Sequence, residues 1–126
     1  MPQLEVSQLL SQWEETYKKG LLTFWLLLCL HQRPTYAYEM KQAIAELSQN
    51  TIEVDEKSVY RALKRFTETG LVTSAFQPSD VGPPRRYFQL TATGRSLLAK
   101  FVARNILIFQ TPAVAESLRR VEQATN

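Results

Sequence analysis

The sequence predicts a mainly α fold with a small β-hairpin: a winged helix-turn-helix with N- and C-terminal dimerisation helices. Three observations carry this. Residues Asp55 to Leu90 read in order as a helix, a strand, a Pro/Gly-broken turn and a second strand. Between Lys57 and Thr67 the helix holds four basic residues, Lys57, Arg61, Lys64 and Arg65, and no acidic one. Both ends of the chain read as amphipathic helices with more apolar surface than so small a domain can hide alone.

At 126 residues the chain is expected to form one domain with a single modest core. It divides into an N-terminal helix over 1–19, a winged-helix core over 20–91 and C-terminal helices over 92–126. Hydrophobic content of 44% with 21% charged residues is ordinary for a globular protein. A net charge of +3 is compatible with a nucleic-acid partner without arguing for one, so the placement of the charges matters more than their sum. The lone cysteine, Cys29, cannot form an internal disulfide and reads as a small buried hydrophobe in a reducing compartment. With one Cys and one His, no metal site and no cofactor are expected. The N-terminus carries early acids and no unbroken apolar core, so it does not read as a signal peptide. The apolar run Phe24 to Leu30 is far short of the roughly 20 residues of a membrane span, and a cytoplasmic location with no membrane partner is expected.

In chain order, Val6, Leu9, Leu10, Trp13 and Tyr17 recur at helical spacing, giving a first amphipathic helix. Its stripe must bury against its own domain or against a partner subunit. Leu21 to His31 is apolar nearly all round, the pattern of the most buried helix of a small domain. His31 reads as an end-of-helix residue rather than a catalytic one, because no nucleophile or acid accompanies it. Arg33-Pro34 stops that helix. Thr35 is expected to cap the next, Tyr36 to Ser48, with Tyr36, Met40, Ile44 and Leu47 inward. Ile52 and Val54 are expected to form a very short strand.

Asp55 is a good N-cap for a helix running to about Thr69. Val59, Ala62, Leu63 and Phe66 make its buried stripe, leaving Lys57, Ser58, Arg61, Lys64 and Arg65 outside. Lys57, Arg61 and Arg65 stack like charges at i, i+4 and i+8, which costs an isolated helix a few tenths of a kcal/mol per pair. Phosphates facing the row would offset that cost by releasing counterions. The alternative is an ordinary solvated face, but such faces usually mix charge signs, and here Glu68 relieves the row only at its far end. Gly70 ends the helix, Leu71 to Gln77 reads as a strand, residues 78–84 as a loop and Arg85 to Leu90 as the return strand. Alternation buries Phe88 and Leu90, leaving Arg85 and Tyr87 at the tip to touch a DNA backbone or minor groove. Arg86 shares the inner face, but at the start of the strand it can still extend outward. Thr91 or Thr93 caps a helix whose stripe of Leu97, Leu98, Phe101, Val102, Asn105, Ile108 and Phe109 is too broad for one core. Thr111-Pro112 marks a break, after which Val114, Leu118 and Val121 continue an apolar line.

Together these residues resemble the PadR family of winged-helix transcriptional regulators over roughly Gly20 to Leu98. The most specific segments are Val54 to Leu63 (VDEKSVYRAL), Glu68 to Val72 (ETGLV), and Gly82 to Thr91 (GPPRRYFQLT) closing in Gly94-Arg95; Tyr38-Glu39-Met40 looks like the family's Y-E-L. The resemblance implies a repressor-type homodimer with the Asp55 helix in the major groove, Tyr60 near a phosphate, and the Gly82–Arg86 wing on the backbone or minor groove. The chain departs from the family where Tyr36-Ala37 replaces His-Gly, expected to matter little, and where Glu56-Lys57 replaces Pro-Gly, so the operator cannot be carried over. The N-terminal extension and the wing look similar to a clock-associated family member of cyanobacteria, implying a circadian clock gene as target.

The function that follows is sequence-specific binding of double-stranded DNA at a pseudo-palindromic operator. Lys57 and Arg61 are the candidates for base edges; Tyr60, Lys64, Arg65, Arg85 and Arg86 are the candidates for phosphate, with Ser58 and Tyr87 beside them. The dimerisation candidates are Leu9, Leu10, Trp13, Tyr17, Phe101, Ile108, Phe109 and Leu118. Two alternatives keep the fold: a ligand-responsive sensor holding an aromatic small molecule at the dimer interface, for which Trp13, Trp25 and Tyr17 supply the aromatic material, and a winged helix that docks on a protein. No motif arranges a nucleophile, a base and oxyanion donors, so an enzyme is not expected.

Overall fold

The computed structural model describes residues 5–124. Six helices and one two-stranded antiparallel sheet follow in the order α1 (Val6–Gly20), α2 (Leu22–Gln32), α3 (Ala37–Leu47), α4 (Glu56–Glu68), β1 (Val72–Gln77), β2 (Arg85–Leu90), α5 (Ala92–Asn105) and α6 (Pro112–Ala124). A 3₁₀ turn, Leu107–Gln110, separates the last two helices. Among the described residues no single helix is long and apolar enough to cross a membrane.

The core gathers where α2, α3 and α4 meet the inner face of the hairpin. Leu26, Leu27, Met40, Ile44, Val59 and Leu63 are its most enclosed side chains. The stripe predicted for α4 is the one that buries, Val59, Ala62, Leu63 and Phe66, while α2, apolar nearly all round, contributes Leu26, Leu27, Cys29 and Leu30. Cys29 sits among them, and burial pushes its thiol up from 9.0 to about 11, leaving it neutral and unreactive near neutral pH.

The hairpin pairs Val72 with Leu90 at its base and Gln77 with Arg85 at its mouth. Val72, Phe88 and Leu90 turn inward, as alternation requires. α4 ends in a Schellman motif: Gly70 N–H donates to Thr67 O and Leu71 N–H to Phe66 O, with Gly70 at φ +78°. Thr91 then caps α5, its Oγ1 accepting from Gly94 N–H at 3.1 Å. Gly94 is needed where it stands, because a Cβ there would lie 2.2 Å from Leu71 O.

Five expectations are corrected, the simplest being Leu47, expected inward on α3 and found exposed at its end. Thr35 does not cap α3. Its N–H donates to Phe88 O and its O accepts from Phe88 N–H, so it adds a one-residue bridge to the sheet and is buried. Tyr36 takes the N-cap position without a side-chain cap and faces the wing instead of the core. Ile52 and Val54 form no strand, because Thr35 already occupies the outer edge of β2; Ile52 is buried as irregular chain held by its N–H on Ser48 Oγ. The helix expected to run through Phe109 ends at Asn105, whose Nδ2 donates to Phe101 O and competes with the backbone ladder there. Pro112 opens α6 at its first position, where a missing N–H costs nothing, and the axis bends by 54° across that break.

Candidate nucleic-acid interface

Asp55 fixes where α4 begins. Its Oδ1 accepts from Ser58 N–H at 2.8 Å and its Oδ2 from the Ser58 hydroxyl at 3.1 Å. Those two bonds hold the carboxyl below the ordinary carboxylate range. Ser58, expected on the outer face, is half-buried and spends its hydroxyl on this cap. Lys57, Tyr60, Arg61, Lys64 and Arg65 are exposed on the face opposite Val59, Leu63 and Phe66. The amphipathic pattern therefore sets the cations outward.

The wing presents its arginines on opposite faces. Arg86, on the inner face near the mouth of the hairpin, lies over the Phe76 ring at 4.9 Å and lines a groove with Tyr60, Lys64, Thr67 and Glu68 of α4. Arg85 points the other way: its Nη1 donates to Tyr36 Oη at 2.9 Å, and its guanidinium lies 4.6 Å from the centre of that ring. Tyr87 packs edge-on against Tyr36 at 5.3 Å. Arg85 and Tyr87 are thus tied to the start of α3 instead of standing alone at the tip. Tyr36 is the site residue that sequence reasoning placed in the core; its partner lies 49 positions away, and nothing local announces it.

The dimerisation candidates divide. Leu9, Leu10, Trp13 and Tyr17 on α1, Ile108 and Phe109 in the 3₁₀ turn and Leu118 on α6 are exposed, Trp13 by 74%. Phe101 is half-buried and packs on Phe24 of its own chain at 5.9 Å. Among the described residues no cluster of three or more His, Cys, Asp or Glu could hold a metal.

A helix with a cationic outer face, preceded by two packed helices and followed by a basic hairpin, defines a winged helix-turn-helix protein. Residues 26–100 match the transcriptional regulator PadR-like family, which is well over half of the chain, and the chain belongs to that family. It is therefore a transcriptional regulator by family and not an enzyme. Among solved structures it is similar to a PadR family transcriptional regulator from Eggerthella lenta, at 22% identity and a TM-score of 0.69, covering 89% of this chain and 94% of that one. A PadR-like transcription factor from Bacteroides fragilis is 27% identical with a TM-score of 0.61, over 87% of this chain and 98% of the other. Bacillus subtilis PadR, solved in complex with operator DNA, is 19% identical with a TM-score of 0.62, over 68% of this chain. The chain spans about half of that protein's length, 48%.

Proposed function

We propose that this chain is a sequence-specific DNA-binding repressor that acts as a homodimer, with α4 in the major groove and the wing on the adjoining backbone or minor groove. The observation that carries the reading is the exposed row of Lys57, Arg61, Lys64 and Arg65 on one face of a capped helix, in the position from which a winged helix-turn-helix reads DNA. The operator complex of the Bacillus subtilis relative supports the class of ligand. Lys57 and Arg61 approach base edges, because residues near the start of the helix go deepest; Tyr60, Lys64, Arg65, Arg85 and Arg86 take phosphates. The exposed apolar faces of α1 and α6 pair two copies and set two reading heads about one helical turn, ~34 Å, apart. We extend the proposal to a clock gene as the target, from the resemblance read in the sequence of the N-terminal extension and wing. The chain acts in the cytoplasm, where such DNA is reached.

The test is selection of bound duplexes from a random pool, followed by titration across a salt series. A pseudo-palindromic consensus and a steep fall of affinity with salt are expected. No enrichment and a flat salt response would leave the protein-docking winged helix as the reading. The exposed Trp13 and Tyr17 on α1 favour a ligand-responsive variant of the same function. Quenching of tryptophan fluorescence by a phenolic compound, accompanied by release of DNA, would establish it.

A further inference from the structure

The contact between the wing and the start of α3 is made by a residue with no role in the core and no role yet in recognition. Tyr36 is half-buried, offers its hydroxyl to Arg85 Nη1 at 2.9 Å, lies under the same guanidinium at 4.6 Å and receives the edge of Tyr87. Arg85 opens β2 directly after the 78–84 loop, where Gly82 has φ +93°. A long side chain at the mouth of such a loop would sample many rotamers, and fixing it would cost affinity at the moment of binding. Here one bond and one ring fix it beforehand.

We propose that Tyr36 is a positioning residue for DNA binding: it holds the Arg85 guanidinium in place for a phosphate oxygen, making the start of α3 and the wing a single rigid contact. This rests on the DNA-binding reading above. Three features favour it. Only Nη1 is committed to Tyr36, so other N–H donors of an exposed guanidinium remain for an acceptor outside the protein. Among the described residues Arg85 forms no ion pair, so no carboxylate neutralises its charge. A Tyr36 hydroxyl that accepts from a cation is itself polarised toward donating, so its own O–H can reach the same phosphate. Arg86, stacked on Phe76 across the hairpin, faces α4 and cannot substitute.

The experiment compares wild type, Tyr36→Phe, Arg85→Ala and the double variant on a mixed-sequence duplex over a salt series, with relaxation of the Arg85 Nε–H measured in the DNA-free protein. Tyr36→Phe keeps the ring and removes only the hydroxyl, so the thermal midpoint should hardly move. Expected are affinity lowered about three- to tenfold, a salt slope shallower by up to about 0.9 as in Arg85→Ala, no further loss when both changes are combined, and a more mobile Arg85 Nε–H. An unchanged salt slope, or fully additive losses in the double variant, would overturn the proposal. A wild-type chain that binds no duplex would overturn the DNA reading along with the phosphate role. The relaxation measurement would then still decide whether Tyr36 holds Arg85.

Discussion

At the scale of single residues, Asp55 and Gly94 show how much one position can decide. Asp55 ends the irregular segment after α3 and starts α4 through two bonds from Ser58. Its carboxyl is held below the ordinary value of 3.8, so the stability it contributes is fully present above that value and is lost as pH falls through the lower native one. Urea midpoints followed downward in pH should therefore fall more steeply for wild type than for Asp55→Asn, which still caps but does not titrate. Equal slopes would remove Asp55 from the acid response. Gly94 acts through space instead of charge. Gly94→Ala would drive a methyl into the Leu71 carbonyl, with no flexible side chain to yield, and should cost about 1–3 kcal/mol in a denaturation experiment. A midpoint like that of wild type would mean that α5 shifts freely at its start.

At the scale of elements, α4 separates two jobs onto two faces, and substitutions should separate them too. Leu63→Ala empties a fully enclosed position and should cost about 2–5 kcal/mol of stability. Arg61→Ala touches only the exposed face and should leave the thermal midpoint alone while weakening DNA binding by about 1–3 kcal/mol if it reads guanine. Loss of stability without loss of affinity from Arg61→Ala would reverse that assignment. The same element shows what the sequence makes legible. The cap at Asp55, the stripe Val59–Leu63–Phe66 and the stop at Gly70 are all written within a few residues of where they act, and each stands where expected. The roles of Thr35 and Tyr36 are not legible locally because their partners, Phe88 and Arg85, belong to another element, and capping rules see only neighbours. The end of α5 is not legible for a different reason: the apolar spacing continues through Phe109, while the chain turns into the 3₁₀ segment after Asn105, whose side chain bonds back to Phe101 O.

At the scale of the whole molecule, the apolar faces of α1 and α6 remain outside the core that α2 to α5 complete. The charge row on α4 and these faces lie on different parts of the chain, so assembly and recognition can be tested separately. If two copies pair through these faces as proposed, Leu118→Glu and Trp13→Glu should shift sedimentation from dimer to monomer and roughly halve the salt slope on a two-site duplex, since one head neutralises half the phosphates. Sedimentation unchanged by either substitution would place the contact between copies elsewhere.

One small side chain lies at the meeting point of all this. The Thr91 hydroxyl donates to Gly70 O at 2.7 Å, has Leu71 O at 3.1 Å, and accepts from Gly94 N–H. Gly70 closes the end of α4, Leu71 leads into the wing and Gly94 belongs to α5. A turn of α5 about its own start would therefore pull on the tail of α4 and the root of the hairpin together. A load applied to α5 thus reaches the terminus of α4 and the root of the hairpin at a single joint, where the Thr91 N–H bond to Leu71 O and the Arg95 bond to Leu90 O act beside that hydroxyl.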